Sequence, residues 1–245
     1  MLLQAQSLRK SFAKLLVLND ISFEVREGEL KSIIGPNGAG KTTLFNAITG
    51  RLPMDHGKIV FRGQVVTGAK PHILSRMGMA RSFQINNFFM TLTIEENIQL
   101  GVQSRIKHGT SSWRGFTKGD AVEEKGLEVL DAIGLLEHRD ELAMNLSYGD
   151  QRKLEIGLAL ATEPKLLMLD EPTSGMSRYE SASMIGLIEK LSKRVTIILI
   201  EHDIALVMKV SDSVLVIHYG EKIAEGTPAE IERNEEVQRV YLGGL

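Results

Sequence analysis

The chain has 245 residues, 43% hydrophobic and 24% charged, an ordinary globular composition with ample material for a core. A net charge of −2 lends no support to a nucleic-acid binder, which carries a basic face, so no nucleic-acid partner is expected. The absence of cysteine excludes disulfides and thiolate metal sites.

The amino terminus, MLLQAQSLRKSF, is interrupted by Gln4 and Gln6 and lacks the charged start and unbroken apolar run of a signal peptide. Leu30–Ile34 is a short apolar run, read as a strand, that ends in a glycine-rich turn before a helical segment, Lys41–Ile48. Lys58–Phe61 and Met79–Phe83 read as further strands. Between Arg105 and Asp120 the chain turns to Gly, Ser, Thr, Lys and Arg around Trp113 and Phe116, which predicts a loop or a short helical insertion. Leu166–Leu169, Val195–Ile200 and Val214–Ile217 lack polar alternation, as strands of a parallel sheet do when both faces are buried. None of these runs approaches the roughly 18 apolar residues needed to span a bilayer. Helix starts are marked by a hydroxyl followed three residues later by glutamate, at Thr93/Glu96, Ser177/Glu180 and Thr227/Glu230, the last with Pro228 at the first helical position. Helices are therefore expected from about Arg178 to Lys193 and, briefly, after Pro228. The layout is an α/β core carrying an inserted, mainly helical piece at 87–160.

Gly35-Pro36-Asn37-Gly38-Ala39-Gly40-Lys41-Thr42 matches G-x-x-x-x-G-K-[ST], and it follows a predicted strand and opens a predicted helix, as a phosphate-binding loop must. Its glycines let backbone N–H groups close on phosphate oxygens. Lys41 offers a charge to the outer phosphates, Thr42 a hydroxyl to Mg²⁺, and the helix its positive end. Such a loop does not choose between kinase, GTPase and ATPase. Leu166–Leu169 running into Asp170 and Glu171 does more: an acid at the tip of a buried strand suits the metal, and the next acid suits the attacking water.

With these motifs in place the chain resembles the ABC ATPases, from about Leu2 to Leu245. Leu146-Ser147-Tyr148-Gly149-Asp150 is similar to their signature motif and precedes the Asp-Glu strand as theirs does. Gln84, in Arg81-Ser82-Phe83-Gln84, resembles the Q-loop glutamine, His202 the switch histidine, and Phe12 the aromatic that stacks on adenine. The resemblance implies a P-loop NTPase core with a mostly parallel sheet, an antiparallel β lobe and a helical subdomain. One domain over 1–245 is expected, with core and lobe at about 1–86 and 161–245 and the helical subdomain at 87–160. ATP and Mg²⁺ are the implied cofactors. Phe12, the loop 35–42 with Thr43, and Ser147, Tyr148 and Gly149 would bind nucleotide; Thr42, Gln84 and Asp170 would serve the metal; Glu171, His202 and Gln84 would serve catalysis. Two such subunits are expected head to tail, each covering the other's ATP with its signature segment, on membrane subunits at the cytoplasmic face of the cell membrane.

Two departures stand out. Tyr148 and Asp150 replace the usual glycine and glutamine, with Asp150 expected to cap its own helix and Tyr148 expected to tolerate glycine. Ser177 replaces a common aspartate. A narrower resemblance, carried by the Ser-Tyr-Gly signature, Leu154-Glu155-Ile156, Gly175-Met176, Ile200-Glu201-His202-Asp203 and Val240-Tyr241-Leu242-Gly243, points to the branched-chain amino-acid importers. It implies a separate substrate-binding protein as partner. Urea and amide importers and the lipopolysaccharide exporter are close alternatives. A soluble non-transport ABC ATPase, a P-loop small-molecule kinase and a nucleotide-binding regulator without turnover are more distant ones.

Overall fold

The computed structural model describes residues 1–82, 88–106 and 120–242. The chain opens with an antiparallel pair, β1 (Leu3–Phe12) and β2 (Leu15–Val25), then enters the central sheet as β3 (Leu30–Ile34) and turns through the glycine loop into α1 (Lys41–Ile48). Next come β4 (His56–Phe61) and the two-residue β5 (Gln64–Val65), which complete a four-stranded antiparallel sheet in the order β2-β1-β4-β5. After α2 (Pro71–Arg76) the chain returns to the central sheet as β6 (Met79–Arg81).

Three helices separate β6 from its neighbour: α3 (Ile94–Ile106), α4 (Asp120–Ile133) and α5 (Tyr148–Leu160). They close on a core of their own that includes Ile94, Ile98, Leu130, Ile133 and Leu154. Arg105 and Asp120, expected at the ends of a loop, are the last turn of α3 and the start of α4; Trp113 and Phe116 lie outside the described residues. The chain then comes back as β7 (Leu166–Asp170), which pairs directly with β6 through Met79–Leu166 and Arg81–Met168. Thus β6 ends at Arg81, two residues before the predicted limit at Phe83, itself outside the described residues.

The last third runs α6 (Arg178–Ser192), β8 (Thr196–Ile200), α7 (Ile204–Val210), the hairpin β9 (Ser213–His218) and β10 (Glu221–Gly226), then α8 (Pro228–Glu232) and α9 (Glu235–Leu242). The central sheet runs β10-β9-β3-β8-β7-β6, parallel throughout except for β10 at the edge. All residues of β3, β7 and β8 are buried, which is why their sequences carry no polar alternation. Alternate side chains of β8 serve different cores: Ile198 and Ile200 pack with Phe45, Phe61 and Leu3 beneath the antiparallel sheet, while Ile197 and Leu199 face Leu187 and Ile188 of α6. No helix among the described residues is long and apolar enough to cross a membrane.

The three predicted helix starts are all capped as their sequences require. Thr93 accepts from the Glu96 N–H at 3.1 Å and gives its own N–H to the Glu96 carboxylate at 2.8 Å. Ser177/Glu180 and Thr227/Glu230 form the same reciprocal box. At Ser177 the hydroxyl both accepts from the Glu180 N–H and donates to its carboxylate at 2.7 Å. Aspartate in that place could accept but not donate, and would set two carboxylates together. Ser177→Ala should lower the unfolding free energy by about 1 kcal/mol, measured by urea denaturation. Ser177→Asp should also be less stable than the wild type, although aspartate is normally as good a cap as serine.

Candidate nucleotide site

The site forms where the carboxyl ends of the parallel strands meet. Leaving β3, the backbone passes so close to β9 that any side-chain carbon on Gly35 would collide with the Ile217 carbonyl oxygen. Gly40 has φ +102, and a Cβ there would come within 2.9 Å of Leu18 Cδ2 and of the Val17 carbonyl on β2. The Gly220 N–H donates to the Ala39 carbonyl at 3.0 Å, closing the loop against the β9–β10 turn. Glycine is thus required by space at one end of the loop and by conformation and space at the other. Asn37 and Gly38 are exposed at its tip, while Lys41 and Ala39 are buried.

Lys41 Nζ donates to the carbonyls of Gly35 at 2.6 Å and Pro36 at 3.0 Å. The ammonium therefore sits inside the loop it belongs to. Burial pulls its pKa down, against the opposing charges of Glu171 and Asp170. Thr42 is exposed at the start of α1, with Thr43 half-buried beside it. Phe12 closes β1 with its ring 48% exposed, on the hairpin whose β2 strand presses on Gly40.

Asp170 ends β7 with only 5% exposure, and Glu171 follows with φ +46, its N–H donating to the Ile200 carbonyl at 2.9 Å. A non-glycine residue at positive φ is uncommon and is held here by that cross-strand bond. Beside Asp170 lies a residue whose role the sequence reading missed. Arg81 Nη2 is 3.2 Å from Asp170 Oδ2, its Nη1 donates to Asn46 Oδ1 at 2.6 Å, and its guanidinium stacks 4.4 Å from the centroid of Phe45. Burial raises the pKa of Asp170; Arg81 opposes the rise, whereas Glu171 and Glu201 add to it. A basic residue at the tip of the strand next to the acidic one was the available signal. His202 is 59% exposed at the end of β8, next to the wholly buried Glu201. Gln84 lies outside the described residues.

The signature residues form a second cluster, tied to the turn that follows Glu171 rather than to the phosphate loop. Ser147 is the N-cap of α5, accepting from the Asp150 N–H at 3.2 Å. Asp150 is therefore not a cap, contrary to expectation. It is the third helical residue, and its carboxylate takes the Ser147 hydroxyl at 2.8 Å and Lys153 Nζ at 2.9 Å. Burial works against its ionisation, but those two bonds and the lysine charge hold it below the usual carboxylate range. A Cβ on Gly149 would lie 3.1 Å from Glu180 Oε1, so that carboxylate sits directly against this glycine. Tyr148 donates its hydroxyl to the Ser174 carbonyl at 3.1 Å and receives Arg152 at 2.9 Å. Glycine at 148 would remove both ties, so the tyrosine is integrated into its surroundings.

A glycine loop around a lysine after β3, two acids at the tip of β7 with β8 between them, and a serine-capped helix define a P-loop ATPase of the ABC type. Residues 18–174 match the ABC transporter family model, and residues 221–244 match the model for branched-chain amino acid ATP-binding cassette transporters. The chain belongs to the ABC transporter family, as an ATP-binding and ATP-hydrolysing member. It is 41% identical to the high-affinity branched-chain amino acid transport ATP-binding protein LivG of Escherichia coli (strain K12), over 99% of this chain and 98% of that protein. A probable branched-chain amino acid transport ATP-binding protein LivG of Archaeoglobus fulgidus is 37% identical, over 99% of this chain and 95% of its own. Among solved structures, the ADP conformation of an ATP-binding cassette of an ABC transporter superposes with a TM-score of 0.86 at 30% identity, covering 99% of this chain and 98% of that one.

Removing Arg81 would leave Asp170 buried without its cation. Arg81→Ala should cost about 3 kcal/mol of stability, the usual result of breaking a buried pair from one side, as read by urea denaturation. Because the folded pKa of Asp170 lies above its unfolded value, its stabilising contribution is complete below the unfolded pKa and is lost as pH rises through the folded one. Loss of Arg81 raises the folded pKa further, so the acid limb of the ATPase pH profile should move to higher pH in the variant.

Proposed function

We propose that this chain is the ATP-hydrolysing subunit of an importer of branched-chain amino acids, driving membrane subunits it does not itself contain. The observation that carries this reading is full-length similarity, 41–42% identical, to proteins named for that transport, together with the matching carboxyl-terminal segment.

In this reading the β- and γ-phosphates enter the loop from Gly35 to Thr43, and the Lys41 ammonium exchanges the carbonyls of Gly35 and Pro36 for phosphate oxygens. Phe12 supplies an exposed ring for adenine. Thr42, Asp170 and Gln84 are the groups assigned to Mg²⁺. The exposed Thr42 hydroxyl and the Asp170 carboxylate fit an ion held largely by phosphates and water. When bound, that ion neutralises charge on the phosphates. Glu171 accepts a proton from the attacking water, and His202 faces the γ-phosphate. A second ATPase subunit, the same chain or a related one, lies head to tail, so that its Ser147, Tyr148 and Gly149 cover this nucleotide. The pair works at the cytoplasmic face of the cell membrane, with a separate substrate-binding protein delivering cargo.

Lys41→Ala should bind ATP at least about tenfold more weakly, a loss of about 1.4 kcal/mol, by equilibrium titration; wild-type affinity would remove the lysine from the phosphate site. Glu171→Gln should bind ATP, lose turnover and elute as a dimer under saturating Mg-ATP, where a persistent monomer would count against the head-to-tail pair. In cells whose only copy carries Glu171→Gln, uptake of labelled leucine should fall to background with urea uptake unchanged. Normal leucine uptake would sink the cargo assignment.

A further inference from the structure

Glu201 has a fully buried side chain, and no step above uses it. A carboxylate without solvent is tolerated only when its oxygens are well hydrogen-bonded. Oε1 accepts from the Thr173 hydroxyl at 2.6 Å and from the Thr173 N–H at 3.1 Å. Oε2 accepts from the His202 N–H at 3.2 Å and lies 3.6 Å from His202 Nδ1. The first partner belongs to the turn two residues after Glu171; the second is the histidine beyond β8. One carboxylate therefore joins the segments that carry the two groups assigned to the reacting phosphate. Apart from these contacts the His202 side chain projects into solvent, 59% exposed. A separation of 3.6 Å is too long for a good hydrogen bond, so the firm tie to His202 is the one through its backbone N–H.

We propose that Glu201 is a positioning residue for ATP hydrolysis, which locks the turn after Glu171 to His202 so that the two approach the γ-phosphate as one body. The inference rests on the roles given to Glu171 and His202. Glutamine at 201 can still accept from Thr173 through its amide oxygen, but it turns an N–H₂ towards the His202 N–H, so it breaks the histidine arm selectively. Thr173→Val removes the hydroxyl arm from the other side, and Thr173→Ser keeps it.

The experiment measures ATP turnover of the full chain, with KM and Tm, for Glu201→Gln, Thr173→Val, Thr173→Ser and His202→Ala, and for the first two in the His202→Ala background. The expected result is a kcat about tenfold lower for Glu201→Gln and for Thr173→Val, with KM for ATP unchanged, and near-wild-type kcat for Thr173→Ser. In the His202→Ala background neither substitution should lower kcat further. Equal losses in both backgrounds, or losses in Tm with kcat intact, would make Glu201 a purely structural buried acid and overturn the proposal. Should Glu201→Gln fail to fold, the Thr173 pair decides by the same criterion. Glu171→Gln is the control: if turnover survives it, the reading of the site itself fails, whereas turnover that depends on Glu171 but ignores Glu201 and Thr173 refutes the positioning role alone.

Discussion

Parallel, in-register pairing of β3, β8 and β7 sets where the phosphate loop, the two acids and His202 stand. Ile33 pairs with Ile200, and Ile200 with Asp170, so the chain leaves all three strands at one level of the sheet. From that level Gly35 begins the phosphate loop, Glu171 begins the turn that follows the acids, and Glu201 leads to His202. A slip of one residue in any of these strands would exchange its two buried faces and move its terminal side chain by a full step. Burial on both faces forbids that slip, because Ile198 and Ile200 fill one core while Ile197 and Leu199 fill another. The hydrophobic sandwich is thus what gives the polar edge its geometry.

That edge concentrates charge where water is scarce. Asp170 is buried against Arg81, Lys41 is buried among its own loop carbonyls, and Glu201 is buried against Thr173 and the His202 backbone. Each group is matched by a named partner, without which burial of a charge would cost several kcal/mol. Backbone shape is adjusted to the same end: Glu171 takes a positive φ and is held by the Ile200 carbonyl, while Gly35 and Gly40 allow close approach where a side chain could not. A nucleotide entering such a site exchanges partners with charges already in place, as preorganised electrostatic catalysis requires.

Much of this was legible in the sequence, for physical reasons. Continuous apolar runs located β3, β7, β8 and β9 because both faces of the central sheet are covered. Hydroxyl–glutamate pairs located three helix starts because reciprocal capping is a local bond. The two longest strands, β1 and β2, were not legible. Their pairing shifts register between Ala5 and Leu8 and again before Ser11, with Ser7 and Asp20 at positive φ, so the period of two is broken along both strands. Their connection places Ala13 at φ +53, a turn with none of the usual glycine or asparagine signal. Arg81 meets Asp170 from 89 positions away and Glu201 meets Thr173 from 28, so only the order of the strands, which the sequence reading did not work out, brings these partners together.

The departures at 148, 150 and 177 belong to the same logic. Considered singly, a tyrosine, an aspartate and a serine weaken a familiar motif. In three dimensions each has an intramolecular partner: Tyr148 holds the Ser174 carbonyl, Asp150 holds Ser147 and Lys153, and Ser177 closes a box with Glu180. The start of α5 is fastened to the turn that leaves the acids by the Tyr148 hydroxyl on the Ser174 carbonyl, a side-chain tie rather than a backbone one. Glu180, the acid that closes the Ser177 box, also lies against Gly149, so the helix start that follows the acids bounds the signature segment on that side.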